Sequence, residues 1–205
     1  MATYLAPRFR YPSYLLRRQF LKIFGAAFHI YGPNGDLMFY SKQKAFRLKE
    51  DIRLYADENA TEEVLTIQAR SWLDFAAAYD VTDAQTGEKV GGMKRRGFRS
   101  MVRDEWTIMD VNDNDIGLIQ EDSTVMGLVR RFVPFGDWVP QKFVGTVQGQ
   151  PVLQFSQQFN PIIQKIDLDF SVDTGDLLDR RLGIAAAVLL CAIEGRQDEG
   201  ISFGV

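Results

Sequence analysis

The sequence predicts an all-β domain, a closed antiparallel barrel of about twelve strands that encloses a hydrophobic C-terminal helix. Three observations predict it. Aromatic and β-branched runs recur around short turn signals along most of the chain. Helical patterning is confined to two segments. The second of these, Arg180 to Gly195, contains an unbroken apolar run from Leu182 to Ile193.

The bounds are those of one ordinary globular unit. The chain has 205 residues, 46% apolar and 25% charged, which suits a single domain with a sizeable core. Residues 1–205 therefore read as one domain, with the barrel over about 14–171 and the central helix over about 176–194. A formal net charge of -3 gives no global field that would attract nucleic acid, so a basic partner site must be local. Cys191 stands alone, which rules out an internal disulfide and suits a reducing compartment. The first residues, MATYLAPRFRYPSY, lack the apolar core of a secretion signal, and neither end carries a lipidation motif. The expectation is a cytoplasmic protein without a transmembrane segment.

The elements follow in chain order. Phe20–Tyr31 and Leu37–Lys42 flank Gly32-Pro33-Asn34-Gly35-Asp36, a strong hairpin signal. Phe46–Lys49 reads as a short strand. IRLYA (52–56) and EEVLTIQAR (62–70) are rich in branched and aromatic residues. Further hairpins turn around Asp83 to Gly87, around Asn112 to Asp115, and at Gly149. In IIQKIDLDFS (162–171), Ile162, Ile166, Leu168 and Phe170 share one face, and Lys165, Asp167 and Asp169 share the other. That alternation is a strand with one wet side. Thr124 to Phe132, with Ser123 as its cap, is the first helical segment.

The second helical segment decides the class. Its apolar run is shorter than the ~20 residues a bilayer span needs and has the length of a buried helix. Ala and Leu are the best helix formers. Asp176 is placed to cap the N-terminus with Asp179 in the first turn, and Gly195 to stop the helix. A helix apolar all round must be enclosed on every side. A dozen antiparallel strands have edges that closure removes, and a barrel that wide is not filled by its own side chains. Barrel and helix thus explain one another.

The segments YLLRRQFLKIFGAAFHIYGPNGDLMFYSKQKAFRLKEDIRLY, YDVTDAQTGEKVGGMKRRGFRSMVRDEW, IGLIQEDS and LVRRF resemble the LURP-one-related family. That family is grouped with the tubby C-terminal domain and the phospholipid scramblases. The resemblance, from about Tyr14 to Gly195, implies a twelve-stranded, tubby C-terminal-like barrel around a hydrophobic helix. It implies no activity, because the superfamily shares none.

The candidate sites are few. Lys94, Arg95, Arg96, Arg99 and Arg103 put five cations within ten residues, with Phe98 and Met101 between them. Such a segment suits anionic lipid headgroups, at on the order of 1 kcal/mol per cation near the membrane surface. The resemblance points the same way, since tubby domains bind phosphoinositides through basic residues on the barrel. The competing reading is a solvated strand end balanced by Asp104 and Glu105. Arg130 and Arg131 could extend the patch.

Asp110, Asn112, Asn114 and Glu121 fall at positions 1, 3, 5 and 12 of a calcium-loop spacing. Asp115 occupies the sixth position, where glycine belongs, and both flanks read as strands, so a hairpin turn is the simpler reading. His29 is the only histidine, and with a single cysteine it cannot build a His/Cys zinc site. No nucleophile-elbow or phosphate-loop motif occurs, and Trp72, Trp106 and Trp138 are isolated. Nothing calls for a cofactor or names a catalytic residue.

The functional expectation is a non-enzymatic binding or scaffold protein, peripheral on anionic phospholipid, with its protein partner unidentified. The alternative is a calcium-dependent phospholipid scramblase. It would need the terminal helix to leave the barrel and to carry Arg180, Arg181 and Glu194 into the membrane.

Overall fold

The computed structural model describes residues 5–21, 25–43, 51–70, 78–95, 105–122, 142–158 and 164–194. Twelve strands are arranged in it: β1 (Ser13–Leu21), β2 (Gly25–Tyr31), β3 (Leu37–Gln43), β4 (Asp51–Tyr55), β5 (Glu63–Ala69), β6 (Ala78–Asp83), β7 (Lys89–Arg95), β8 (Glu105–Met109), β9 (Asp115–Glu121), β10 (Lys142–Val147), β11 (Gln150–Gln158) and β12 (Gln164–Asp169). One helix, α1 (Arg180–Glu194), follows them. Each strand pairs antiparallel with its sequence neighbour, and β12 returns to pair with β1, closing the sheet. Closure leaves no free strand edge. The predicted strand at Phe46–Lys49 and the predicted helix at Thr124 to Phe132 lie outside the described residues.

Register decides what faces inward. In β12, Ile166 and Leu168 are buried, as is Phe170 just beyond it, while Asp167 is exposed. The same two-residue alternation carries across the ladder: Leu16 pairs with both Ile166 and Ile30. Ser13–Leu21 is a strand that hydropathy alone does not announce, because its inward positions include Arg18.

α1 runs through the barrel, and every residue from Leu182 to Ala192 whose exposure is described is buried. Ala185, Ala186 and Ala187 keep it narrow where the strands approach. Gly183 lies flat against Phe170, and a Cβ there would overlap the ring. Gly91 on β7 does the same for the other partner, lying against Leu182 at φ 152°, a conformation that excludes a side chain.

The N-terminus of α1 starts later than the sequence suggests. Asp179, rather than Asp176, is the cap: its carboxylate accepts the Arg181 N–H at 2.9 Å, and its carbonyl accepts from Leu182. Asp176 instead takes a left-handed backbone, φ 50°, within the preceding turn. Asp173 holds that turn by accepting the N–H groups of Leu177 and Leu178. The chain leading into β1 packs over the same end of the barrel. There the buried Tyr14 hydroxyl donates to the Arg8 carbonyl, and burial pushes the phenol up to about 12.

Replacing Ala187 with aspartate is expected to abolish the folded state, since a buried unpaired charge has no partner in the barrel. Circular dichroism should show no cooperative melt, and a folded, soluble variant would refute the central-helix reading. Gly183→Ala forces the Phe170 ring aside and should cost about 1–3 kcal/mol in denaturant unfolding, with the fold retained.

Candidate functional site

The antiparallel order gives the barrel two unlike rims. One carries the turns at 32–36, 56–62, 84–88, 110–114 and 148–149 and the segment 170–179 that leads into α1. These stretches contain Asp36, Asp57, Glu58, Glu62, Glu88, Asp110, Asp113, Asp173, Asp176 and Asp179, and no lysine or arginine. The N-terminal segment, with Arg8 and Arg10, crosses this rim as well. At the other rim β7 ends at Arg95 and β8 begins at Glu105; β9 ends at Glu121 and β10 begins at Lys142.

The predicted basic cluster divides at that second rim. Lys94 is exposed on β7. Arg95 pairs with Trp106, a core residue, so it projects to the inner side of the wall and is half-buried there. Arg96, Arg99, Arg103, Arg130 and Arg131 lie outside the described residues.

The four residues of the calcium spacing are not brought together. Asp110, Asn112 and Asn114 form the β8–β9 turn, whereas Glu121 ends β9, six residues and about 20 Å beyond Asp115. Asp110 is already engaged: it accepts the Asn114 side-chain amide at 2.9 Å and the N–H groups of Asn114 and Asn112. These bonds, the Asn114 amide first, hold its carboxyl below the usual range. Asp113 at the tip is fastened to the wall by Lys89 at 2.7 Å and by Arg70, and both cations also meet Asp80. Among the described residues no group of three or more His, Cys, Asp or Glu side chains is placed to hold a metal ion.

His29 faces outward on β2. Its Nε2 lies 3.0 Å from Glu58, its ring is stacked with Tyr31, and the Tyr40 ring is tilted against it. Cys191 is buried in α1, and Trp106 is in the core. Trp72 and Trp138 lie outside the described residues.

Two buried arginines matter more than any of these, and hydropathy gives no sign of them. Arg181 bonds Asp179 at 2.6 Å and reaches Asp83 on β6 at 2.8 Å, fixing the start of α1 to the wall. Arg18 on β1 donates to the Cys191 carbonyl at 3.0 Å, near the opposite end of the helix. A cation there also complements the helix dipole. The RR of LLRRQ alternates with apolar residues that face inward, and that was the one available signal for Arg18.

The protein-family model for LURP-one-related proteins matches residues 16–191. The chain belongs to the LURP-one-related family. This barrel is also similar to an X-ray structure of a protein from Arabidopsis thaliana, with a TM-score of 0.50 and 14% identity over 92% of this chain and 96% of that one. That likeness concerns the fold. No curated protein matches the chain. Among the described residues no helix of this LURP-one-related barrel is long and apolar enough to cross a membrane.

The Asp110 bonds give the turn a pH signature. A carboxyl whose folded pKa is depressed contributes stability above its unfolded pKa and loses it as pH falls through the folded value. In a nuclear magnetic resonance titration the Asn112 and Asn114 amides should therefore move with a midpoint below the ordinary 3.8. A midpoint at or above it would show that these bonds do not form in solution.

Proposed function

We propose that this LURP-one-related protein is a non-enzymatic, cytoplasmic binder of anionic phospholipid or phosphoinositide headgroups, seated end-on at the membrane surface. The supporting observation is the segregation of charge between the two rims. The six stretches that join strands at the second rim, 22–24, 44–50, 71–77, 96–104, 123–141 and 159–163, contain nine lysines and arginines against four acidic residues. The opposite rim's connections hold ten acidic residues and no lysine or arginine. A negatively charged bilayer attracts the first and repels the second, so the field orients the barrel before contact. The cations proposed to meet lipid are Lys94, Arg95, Arg96, Arg99 and Arg103, of which the last three lie outside the described residues. Phe98 and Met101 supply apolar tips between them. The arginines that tie down both ends of α1 favour this reading over a scramblase, because helix withdrawal would break a buried ion pair at a cost of about 3–5 kcal/mol.

Co-sedimentation with vesicles containing phosphatidylserine or phosphoinositide is expected to recover the protein at low salt, with recovery falling as salt rises. Reversing Lys94, Arg96 and Arg99 to glutamate should weaken binding on the order of 100-fold or more, at about 1 kcal/mol for each cation lost, with the thermal melt unchanged. Binding that survives the reversal, or absence of binding at low salt, would overturn the proposal.

A further inference from the structure

A groove of about 660 Å³ runs over the outer wall across β12, β1 and β2, within the range of ligand pockets. It lies beside the acidic rim, away from the proposed membrane face. Its floor is ordered by register. Asp169 stands next to Ser13, Leu15 lies between Asp167 and Tyr31, and Arg17 follows two residues further along β1. Pro12 and Pro33 line it toward the Asp169 end.

The charged groups at the two ends have capacity to spare. The Arg17 guanidinium lies 4.9 Å over the Tyr31 ring, and among the described residues no carboxylate meets it. The side chain is exposed, and a guanidinium can take a carboxylate bidentately. Asp169 spends one oxygen on the Ser171 N–H at 2.7 Å. Asp167 is engaged by Gln158 through both oxygens. The groove thus offers a cation at one end, an apolar centre and an anion at the other. Ser13 and Arg17 are four residues apart on β1, about 13 Å, and the outward positions recur every second residue. A purely anionic ligand would meet Asp167 and Asp169, and a purely cationic one would meet Arg17.

We propose that this groove docks a short extended segment of a protein partner, with a basic, an apolar and an acidic side chain at alternate positions. The basic side chain meets Asp169, the apolar one lies on Leu15, and the acidic one meets Arg17. An extended peptide presents alternate side chains on one face with the period of the groove floor. The carboxylates of the neighbouring rim reinforce the basic end. The proposal does not depend on the lipid reading, since it uses other residues near the other end of the barrel.

The test uses the full chain, labelled with ¹⁵N, and an end-blocked peptide Lys-Thr-Leu-Thr-Glu at millimolar concentration. Amide shifts should concentrate on Leu15, Arg17, Tyr31, Gly32 and Ser171. The uncharged peptide Gln-Thr-Leu-Thr-Gln, which loses both ion pairs, should bind about fivefold more weakly, and the charged peptide should bind Arg17→Gln or Asp169→Asn about two- to fivefold more weakly, the scale expected of one exposed ion pair. Arg17 is exposed, so its variant should melt like the parent and decides the matter if Asp169→Asn perturbs folding. Absence of groove shifts, or an affinity that Arg17→Gln leaves unchanged, overturns the proposal. Inositol hexakisphosphate shifting these residues where the peptide does not would also overturn it, by reassigning the groove to a phosphorylated anion.

Discussion

A helix apolar on every side and a twelve-stranded barrel too wide to fill itself meet a single physical constraint together. Water excluded from the barrel must be replaced by something, and the exposed surface of α1 must be covered by something. Each is the other's solution. The glycines and alanines at the contact follow from this, because a helix threaded through a closed sheet leaves little room for side chains between backbones.

Enclosure creates a second problem, which two arginines solve. Burying a helix also buries its ends, where backbone donors and acceptors lack partners. Asp179 caps one end, with Arg181 tying the cap to Asp83; Arg18 meets a carbonyl near the other. A buried guanidinium is costly unless every neighbour suits it, so such residues fix the helix in one register along the barrel axis. The buried contacts of Arg18 and Arg181 are thus structural.

Outside, antiparallel topology sorts charge without any chemistry at a site. Alternate connections emerge at opposite ends, so a difference between odd and even loops becomes a difference between two faces of the molecule. In this chain the even and odd loops differ in sign. Family membership fixes the architecture and leaves the ligand open.

The fold class was legible in the chain: hairpin signals at 32–36, 83–87 and 149, the alternation of Ile166 to Phe170, and the all-apolar run of α1 are local patterns with local causes. Hydropathy alone does not announce β1 because Arg18 interrupts its apolar face, and sequence spacing points to Asp176 as the helix start because it cannot distinguish a cap from a turn that precedes one. The candidate site was less legible. A run such as KRRGFR states its charge and not its direction, and register alone turned Arg95 inward while leaving Lys94 exposed. The spacing of Asp110 to Glu121 suggested convergence, but β9 carries its ends apart. Asp83 and Arg181, 98 residues apart, and Arg17 beside Tyr31 become neighbours only when the sheet closes. By itself the sequence determined which segments pair and what must be buried, since those depend on neighbours along the chain. Only the tertiary structure decided which charges face one another, because that depends on register, and register is settled when every strand has found its partner.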